Sequence, residues 1–281
     1  MKNRICYLLI SFTCFSSLTY ADTDDFDSDP AFQGQNYLFV SLGSLCRTAN
    51  TLRACGLRVC AFPFDWIIST DGEKLIELLD KDFDGFITDE MPFIENSVSL
   101  ERGGLTLLHP YYHLEFTHES SKSQDGSYFV NWDYFHSKFR RRIERFRLLE
   151  NFKGKVFFIR SSWLDCTVDP YLTYRNYENT QISKEYGVKL FDALTRRFPN
   201  LDFSLIIQND CFGREVYGKK IQERLWFIWR NPEPVWEALP EAKQFYQEIL
   251  EYWHLTFPET SSTSEDPEPL EKPSNSKIIW F

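Results

Sequence analysis

Three short runs of apolar residues constrain the fold of this chain more than any other feature. They span 154–160, 201–208 and 225–229. Each run is continuously apolar rather than alternating, which is typical of a strand that is buried on both faces of a sheet. An amphipathic helix predicted over 184–198 lies between the first two runs, and this order favours parallel strands joined by a right-handed crossover. The sequence therefore predicts an α/β fold, a mostly parallel sheet with helices on both faces.

The segment from Tyr37 to Gly56 predicts a strand, a tight turn and a short helix. Tyr37–Leu42 is an apolar run, Gly43 interrupts it, and Ser44 is a good residue to cap a helix. Cys46 then falls in the first helical turn. The free N–H groups and the dipole of a helix start stabilise a thiolate relative to a thiol, so this position favours a nucleophilic cysteine.

The two ends of the chain differ in composition from its middle. Residues 1–21 have Lys2 and Arg4 before an apolar stretch and end at Thr19-Tyr-Ala21, which predicts a cleaved signal peptide and a secreted or periplasmic protein. Residues 22–36 form an acidic lead-in, and 37–256 a single α/β domain. The Pro-, Ser- and Glu-rich residues 257–281 predict a disordered tail, although the apolar 278–281 is a candidate docking motif.

The net charge and the cysteine content exclude several classes of partner and of site. The formal net charge of −10 argues against a nucleic-acid-binding protein. No later stretch is apolar enough to span a membrane. Without the two cysteines of the signal, five remain, an odd number that leaves at least one thiol outside intramolecular disulfides. They are Cys46, Cys55, Cys60, Cys166 and Cys211, and no Cys-x-x-Cys pair indicates a zinc site.

Two further groups of polar residues could either bind a ligand or have only a structural role. His109, His113 and His118 cluster within predicted paired strands over 105–117 and just beyond, but 109 and 118 would face opposite ways, so we expect no metal. The stretch 128–135 is strand-like, and the following basic helix, 138–152, carries arginines at 140–142 and 145. We interpret these arginines as a solvated face, with phosphate binding as the alternative.

The motifs for common nucleotide and serine chemistry are missing. There is no Gly-x-Gly-x-x-Gly, no phosphate-loop lysine and no Gly-x-Ser-x-Gly, so we expect no cofactor, and Ser44 is only a secondary candidate nucleophile. A thiol hydrolase needs an imidazole base and an Asn or Asp that orients it. The chain order suggests Cys46 as nucleophile, His118 as base and Asn131 or Asp133 as the orienting residue. Asp65, between large apolar residues, is either a structural carboxylate or part of the site.

Several motifs in the same order resemble the bacterial family of unknown function named "putative papain-like cysteine peptidases". Its members are similar in having S-L-G-x-x-C, P-F-D-W, F-x-H-D, an R-R-I-x-R-F helix and a strand F-x-R. The chain departs from this pattern at Glu119, where the family usually has Asp. The resemblance implies a cysteine peptidase with Cys46 and His118 as the catalytic pair, and a papain-like α+β fold as the alternative architecture. The matching segments, within residues 37–230, are Ser41–Cys46, Pro63–Trp66, Phe116–His118, Arg141–Phe146 and Phe158–Arg160.

Two hypotheses about function follow. The first is a cysteine hydrolase, a peptidase or related acyl transferase, that acts on a peptide or small molecule through Cys46 and His118. The second is a non-hydrolytic α/β transferase or ligand-binding protein in which Cys46 is structural and an anion binds to Arg140–Arg145 or to Arg160. A reactive Cys46 would favour the first hypothesis, and a Cys46 in a disulfide would remove it.

Overall fold

The computed structural model describes residues 32, 34–94, 105–122, 124, 127–162, 182–210, 217–230, 240–257 and 279–280. Its helices carry apolar residues on one side at helical spacing, so each buries one stripe against the sheet or its neighbours. No helix among the described residues is long and apolar enough to cross a membrane. The helices are α1 (Cys46–Ala54), α2 (Gly72–Asp80), α3 (Trp132–Leu148), α4 (Lys184–Arg197) and α5 (Pro240–Tyr252).

One main sheet organises the domain, with strands in the order β1-β7-β8-β10-β9-β11. The first four are mutually parallel, β9 is antiparallel to β10, and β11 is parallel to β9. A three-stranded antiparallel sheet, β2-β3-β4, and an antiparallel pair, β5-β6, lie outside it. The strands are β1 (Tyr37–Ser41), β2 (Phe93–Ile94), β3 (Thr106–Leu108), β4 (Glu115–Phe116), β5 (Ser121–Lys122), β6 (Tyr128–Phe129), β7 (Lys155–Ser161), β8 (Phe203–Asp210), β9 (Tyr217–Gln222), β10 (Leu225–Arg230) and β11 (Ile279–Trp280).

The sheet separates two apolar cores. Alternate residues of β7 illustrate this: Phe158 packs toward α2, α3 and α4, whereas Phe157 packs toward α1 and α5. Because both faces are covered, the strands contain buried apolar residues without the polar alternation of a half-exposed sheet. The predicted α/β fold with a mostly parallel sheet is confirmed. The papain-like α+β alternative is wrong for this chain, because the central strands are parallel and enclosed on both faces.

Three local predictions need correction. The stretch 128–135 is strand only at β6, and the basic helix begins at Trp132 rather than at 138, because the Asn131 side chain caps it there. Ser44 is not the cap of α1; Leu45 occupies that position and makes no side-chain capping bond. The arginines of α3 are not all solvated, since Arg142 and Arg145 are buried among apolar neighbours of the helix.

The predictions about the chain ends fall largely outside the described residues. The signal segment 1–21, most of the acidic lead-in, and residues 258–278 and 281 of the tail are not described. Ile279–Trp280 pair with Tyr217–Gly218 at the edge of the main sheet, so part of the apolar 278–281 does dock. The boundaries of the domain and the disorder of the tail stay predictions.

Candidate functional site

The turn after β1 places Cys46 at the carboxyl edge of the parallel sheet, where open α/β sheets bind ligands. Gly43 has a φ of +83°, a conformation that a side chain would strain. A Cβ on Gly43 would lie 2.3 Å from the Ser69 hydroxyl and 2.9 Å from the Arg160 guanidinium. The close approach of these two groups therefore requires glycine in this turn.

Hydrogen bonds from the end of β7 hold the start of α1. The Ser44 hydroxyl donates to the Ser161 carbonyl at 3.0 Å, and the Thr48 and Ser161 hydroxyls lie 2.5 Å apart. Arg47, which is buried, donates to the Ser162 carbonyl at 3.4 Å. Cys46, half-buried, is the first residue of this pinned helix. Because Leu45 provides no side-chain cap, the first N–H groups of α1 have no competing oxygen from the capping position.

A second set of bonds joins this turn to the segment 66–69. The Ser69 N–H donates to the Ser44 carbonyl at 2.8 Å. Arg160, at the end of β7, donates to the Leu42 carbonyl at 2.6 Å, to the Ser69 hydroxyl at 2.8 Å and to the Ser69 carbonyl. The turn before Cys46 is thus held by hydrogen bonds to the end of β7 and to Ser69.

His118 reaches the same segment from the other side. It follows β4, whose Glu115 forms a bridge with Ile68 through two backbone hydrogen bonds of 2.9 and 3.0 Å. The His118 ring packs edge-on against Trp66, with ring centroids 6.1 Å apart. Segment 66–69 therefore contacts His118 through Trp66 at one end and the turn before Cys46 through Ser69 at the other.

Two cations enclose the tryptophan on which His118 rests. The guanidinium carbons of Arg53 and Arg58 each lie 5.2 Å from the Trp66 ring. Such contacts stabilise the ring position and place positive charge beside it. The His118 ring therefore contacts a tryptophan that itself lies beside two guanidinium groups.

Asp65 is the buried anion of this stack. One of its oxygens accepts hydrogen bonds from Arg58 Nε at 2.9 Å and from the Phe62 N–H at 3.1 Å. Burial raises the pKa of Asp65, and the charge of Arg58 opposes that rise. These bonds give Asp65 a structural role in the 58–66 loop, and its catalytic role stays a prediction.

Glu119, the residue at which the chain departs from the family pattern, is also engaged. Its carboxylate lies 3.0 Å from Lys138 Nζ on α3, and both side chains are nearly inaccessible, with exposures of 4% and 6%. A buried pair of this kind is costly to break, because the remaining charge is left without its partner. The pair therefore anchors the residue after His118 to the body of the domain.

Asn131 and Asp133 occupy the start of α3. Asn131 Oδ1 accepts a hydrogen bond from the Tyr134 N–H at 3.1 Å, as a helix cap does. Asp133 is exposed in the first turn, where a negative charge stabilises a helix. Both residues thus have a local structural explanation, and the orienting role of either one stays a prediction.

The other described histidines of the predicted cluster contact different groups. His109 is buried and bonds the Gly85 carbonyl and the N–H groups of Tyr111 and Tyr112. His113 lies on the surface, 3.1 Å from Asp71. Within the part of the chain that the structure describes, no group of three or more His, Cys, Asp or Glu residues could hold a metal ion.

Sequence reasoning missed Ser69, Ser161 and Thr48, which support the site, and it named Arg160 only as a motif residue and a candidate anion ligand. Arg160, Ser69, Ser161 and Thr48 come from three separate parts of the chain, and spacing does not reveal that they meet. Of these four residues, only Arg160 was indicated by a sequence motif, because it ends the F-x-R motif of the resemblance.

Comparison with known proteins bears on the whole site. A family model described as "Putative papain-like cysteine peptidase" matches residues 37–209, more than half of the chain. A protein of Acanthamoeba polyphaga mimivirus named "Uncharacterized protein R408" is 26% identical over 196 residues, which cover 61% of this chain and 78% of that protein. No solved structure matches the chain. The matched region begins at β1 and includes Cys46, His118 and Arg160.

Proposed function

Because the chain belongs to the family described as "Putative papain-like cysteine peptidase", we propose that it is a cysteine hydrolase with Cys46 as nucleophile and His118 as general base. The observation that carries this proposal is the position of Cys46. It is the first residue of a helix whose start lacks a side-chain cap, at the carboxyl edge of a parallel sheet. The fold differs from papain, so the proposal concerns the chemistry and not a shared architecture.

The proposed reaction uses the two ends of segment 66–69. His118 takes the proton of the Cys46 thiol, and the thiolate attacks the carbonyl carbon of an amide or ester. N–H groups at the start of α1 stabilise the resulting oxyanion, and His118 returns the proton to the leaving group. Water, activated by the same imidazole, then releases the acyl group from sulfur. In an acyl transferase, an amine or alcohol replaces water in the last step.

The alternative, an anion-binding protein without hydrolytic activity, has less support from the arginines. Arg142 and Arg145 are buried against the core, and both terminal nitrogens of Arg160 already donate to protein oxygens. Arg140 and Arg141 are exposed and remain available to an anion. The peptide or small-molecule substrate of the hydrolase is proposed only as a class.

Acylation of Cys46 tests the hydrolase directly. The mature protein is mixed with an activated ester, such as p-nitrophenyl acetate, and the labelled peptide is identified by mass spectrometry with a rapid quench. We expect an acyl group on Cys46, none in Cys46→Ala, and acylation slowed about 100-fold or more in His118→Ala. His113→Ala is the matched control, because His113 is an exposed histidine between β3 and β4. Cys46 in this variant should be acylated at the wild-type rate. Equal rates in His118→Ala and the wild type would contradict the proposed base.

We also propose that the protein is exported through residues 1–21. Their basic start, apolar middle and Ala21 cleavage site support this. Expression of the full chain with determination of the mature N-terminus tests it. A new N-terminus at Asp22 is the expected result, and a retained Met1 in the cell interior would contradict export.

A further inference from the structure

We propose that Arg160 is the positioning residue of this site: its guanidinium fixes the turn before Cys46 and supplies the positive charge that favours the Cys46 thiolate. The inference deepens the proposed function and rests on Cys46 being its nucleophile. It starts from a feature that ordinary packing does not explain, an arginine buried in the interior with only 3% of its surface exposed.

Arg160 forms no salt bridge with a carboxylate among the described residues, although the Asp71 carboxyl and the Tyr186 hydroxyl interact with it electrostatically. Its terminal nitrogens donate to two backbone carbonyls, of Leu42 and Ser69, and to the Ser69 hydroxyl, all of which are neutral. Its Nε is buried and has no hydrogen-bond partner in the part of the chain that the structure describes. Burial lowers the pKa of Arg160, since a desolvated cation is unfavourable. A buried guanidinium whose direct hydrogen-bond acceptors are neutral is costly to fold around, which favours a functional reason for keeping it.

The hydrogen bonds lead from the guanidinium to the first turn of α1. Arg160 holds Ser69, and the Ser69 N–H holds the Ser44 carbonyl, two residues before Cys46. The next residue of β7, Ser161, donates its N–H to the Gly43 carbonyl at 3.1 Å and bonds the Thr48 hydroxyl. Loss of the guanidinium would therefore release the turn on one side while Ser161 still held it on the other.

The charge of Arg160 acts in a region that contains other charged and titratable groups. The same region contains the cation Arg47 on α1, the carboxyl groups of Glu115 on β4 and Asp71 before α2, His118, and the Tyr186 hydroxyl on α4. The Tyr186 hydroxyl and the Asp71 carboxyl stabilise the cation and so oppose the lowering of the Arg160 pKa by burial. A cation in a desolvated setting lowers the pKa of a nearby thiol, because it stabilises the thiolate.

The test compares the pH dependence of Cys46 alkylation by iodoacetamide, measured by mass spectrometry, in folded variants. Arg160→Gln removes the charge and leaves a shorter polar side chain with one amide donor group. We expect it to raise the apparent pKa of Cys46 by about one unit, which slows labelling about tenfold near neutral pH. Arg160→Lys keeps the charge and should shift the pKa less. Arg145→Met is the matched control, because it also removes a buried arginine, this one on α3. It should leave the pKa of Cys46 unchanged.

An unchanged Cys46 pKa in folded Arg160→Gln would overturn the proposal, as would an equal rise in Arg145→Met. If Arg160→Gln does not fold, Ser69→Ala tests the positioning path, because it removes one acceptor of the guanidinium. Ser69→Ala should slow labelling of the Cys46 thiolate about threefold or more at high pH. An unchanged labelling rate would contradict the inference. Acylation of Cys46 with an unchanged pKa in Arg160→Gln refutes only the role of Arg160. A raised pKa in that variant without acylation of the wild type refutes only the hydrolase.

Discussion

Gly43 is the residue on which the shape of the site depends most. Gly43→Ala adds a Cβ that would lie 2.3 Å from the Ser69 hydroxyl, in a backbone with a φ of +83°. We expect this change to destabilise the protein by about 2–4 kcal/mol, because a strained backbone and a steric clash add together. The free energy of unfolding in urea measures the effect.

Gly85→Ala is the control for this prediction. Gly85 has a φ of +72°, but the nearest atom to an added Cβ is 3.7 Å away, in ordinary contact with Tyr112. The control variant therefore carries the backbone strain alone and should cost about 1–2 kcal/mol. Equal losses in the two variants would show that Ser69 and Arg160 do not press on Gly43.

His109 makes stability dependent on pH. Its Nδ1 accepts the N–H groups of Tyr111 and Tyr112, and Nε2 lies 2.8 Å from the Gly85 carbonyl, so the folded state requires the neutral ring. Burial lowers the pKa of His109 below its ordinary value of 6.5. At pH values between that lowered pKa and 6.5, the unfolded chain binds more protons than the folded chain does. This contribution to stability is therefore complete above 6.5 and is lost as the pH falls below it.

Urea unfolding near pH 7.5 and near pH 5 tests this role of His109. The wild type should lose more stability on acidification than His109→Gln, whose amide does not titrate. The variant is expected to be less stable at the higher pH, since it loses bonds to the Tyr111 and Tyr112 N–H groups. The same loss on acidification in both proteins would contradict the prediction.

At the scale of elements, the start of α3 separates a structural role from a catalytic one. Asn131→Ala removes the cap of this helix and should cost about 1 kcal/mol, because one of its first N–H groups loses its partner. Ser183→Ala removes the equivalent cap of α4, the hydroxyl that accepts the Tyr186 N–H at 3.1 Å, and should cost a similar amount. Chemical unfolding and the rate of Cys46 acylation are measured for both variants.

If Asn131 only caps the helix, acylation of Cys46 is unchanged within about twofold in both variants, because a loss near 1 kcal/mol leaves nearly all molecules folded. A fall of 100-fold in Asn131→Ala alone would instead establish Asn131 as the residue that orients His118. Asn131→Asp, which retains a capping oxygen, should keep the stability in either case.

The sequence indicated most elements but misplaced those whose local signals compete. Residues 128–135 are aromatic enough for a strand, yet Asn131 and Asp133 are typical of a helix start, and the helix begins at Trp132. Ser44 has the side chain of a cap, but its hydroxyl bonds Ser161 instead, a contact that comes from 117 residues away. Local propensity yields to tertiary contacts at such positions.

At the scale of the whole molecule, the parallel sheet was predictable because continuous apolar runs leave no polar face. The pairing order was not, and neither was β9, a strand with Lys219 and Lys220 that runs antiparallel to β10. The burial of Arg142 was also missed, since the charge pattern of α3 resembles a solvated face. The candidate nucleophile and base were named from motifs, whereas the contacts of segment 66–69 with His118 and with the turn before Cys46 become evident only in three dimensions.

The measurement that tests the hydrolase most directly is the pH profile of Cys46 alkylation in the wild type and in His118→Ala. A thiolate paired with an imidazolium labels rapidly well below the reference thiol pKa of about 8.5, and the profile shows two steps because the groups titrate together. We predict this two-step profile for the wild type and a single step at higher pH for His118→Ala. A wild-type Cys46 that labels in one step near pH 8.5, unchanged by His118→Ala, would contradict the proposed catalytic pair.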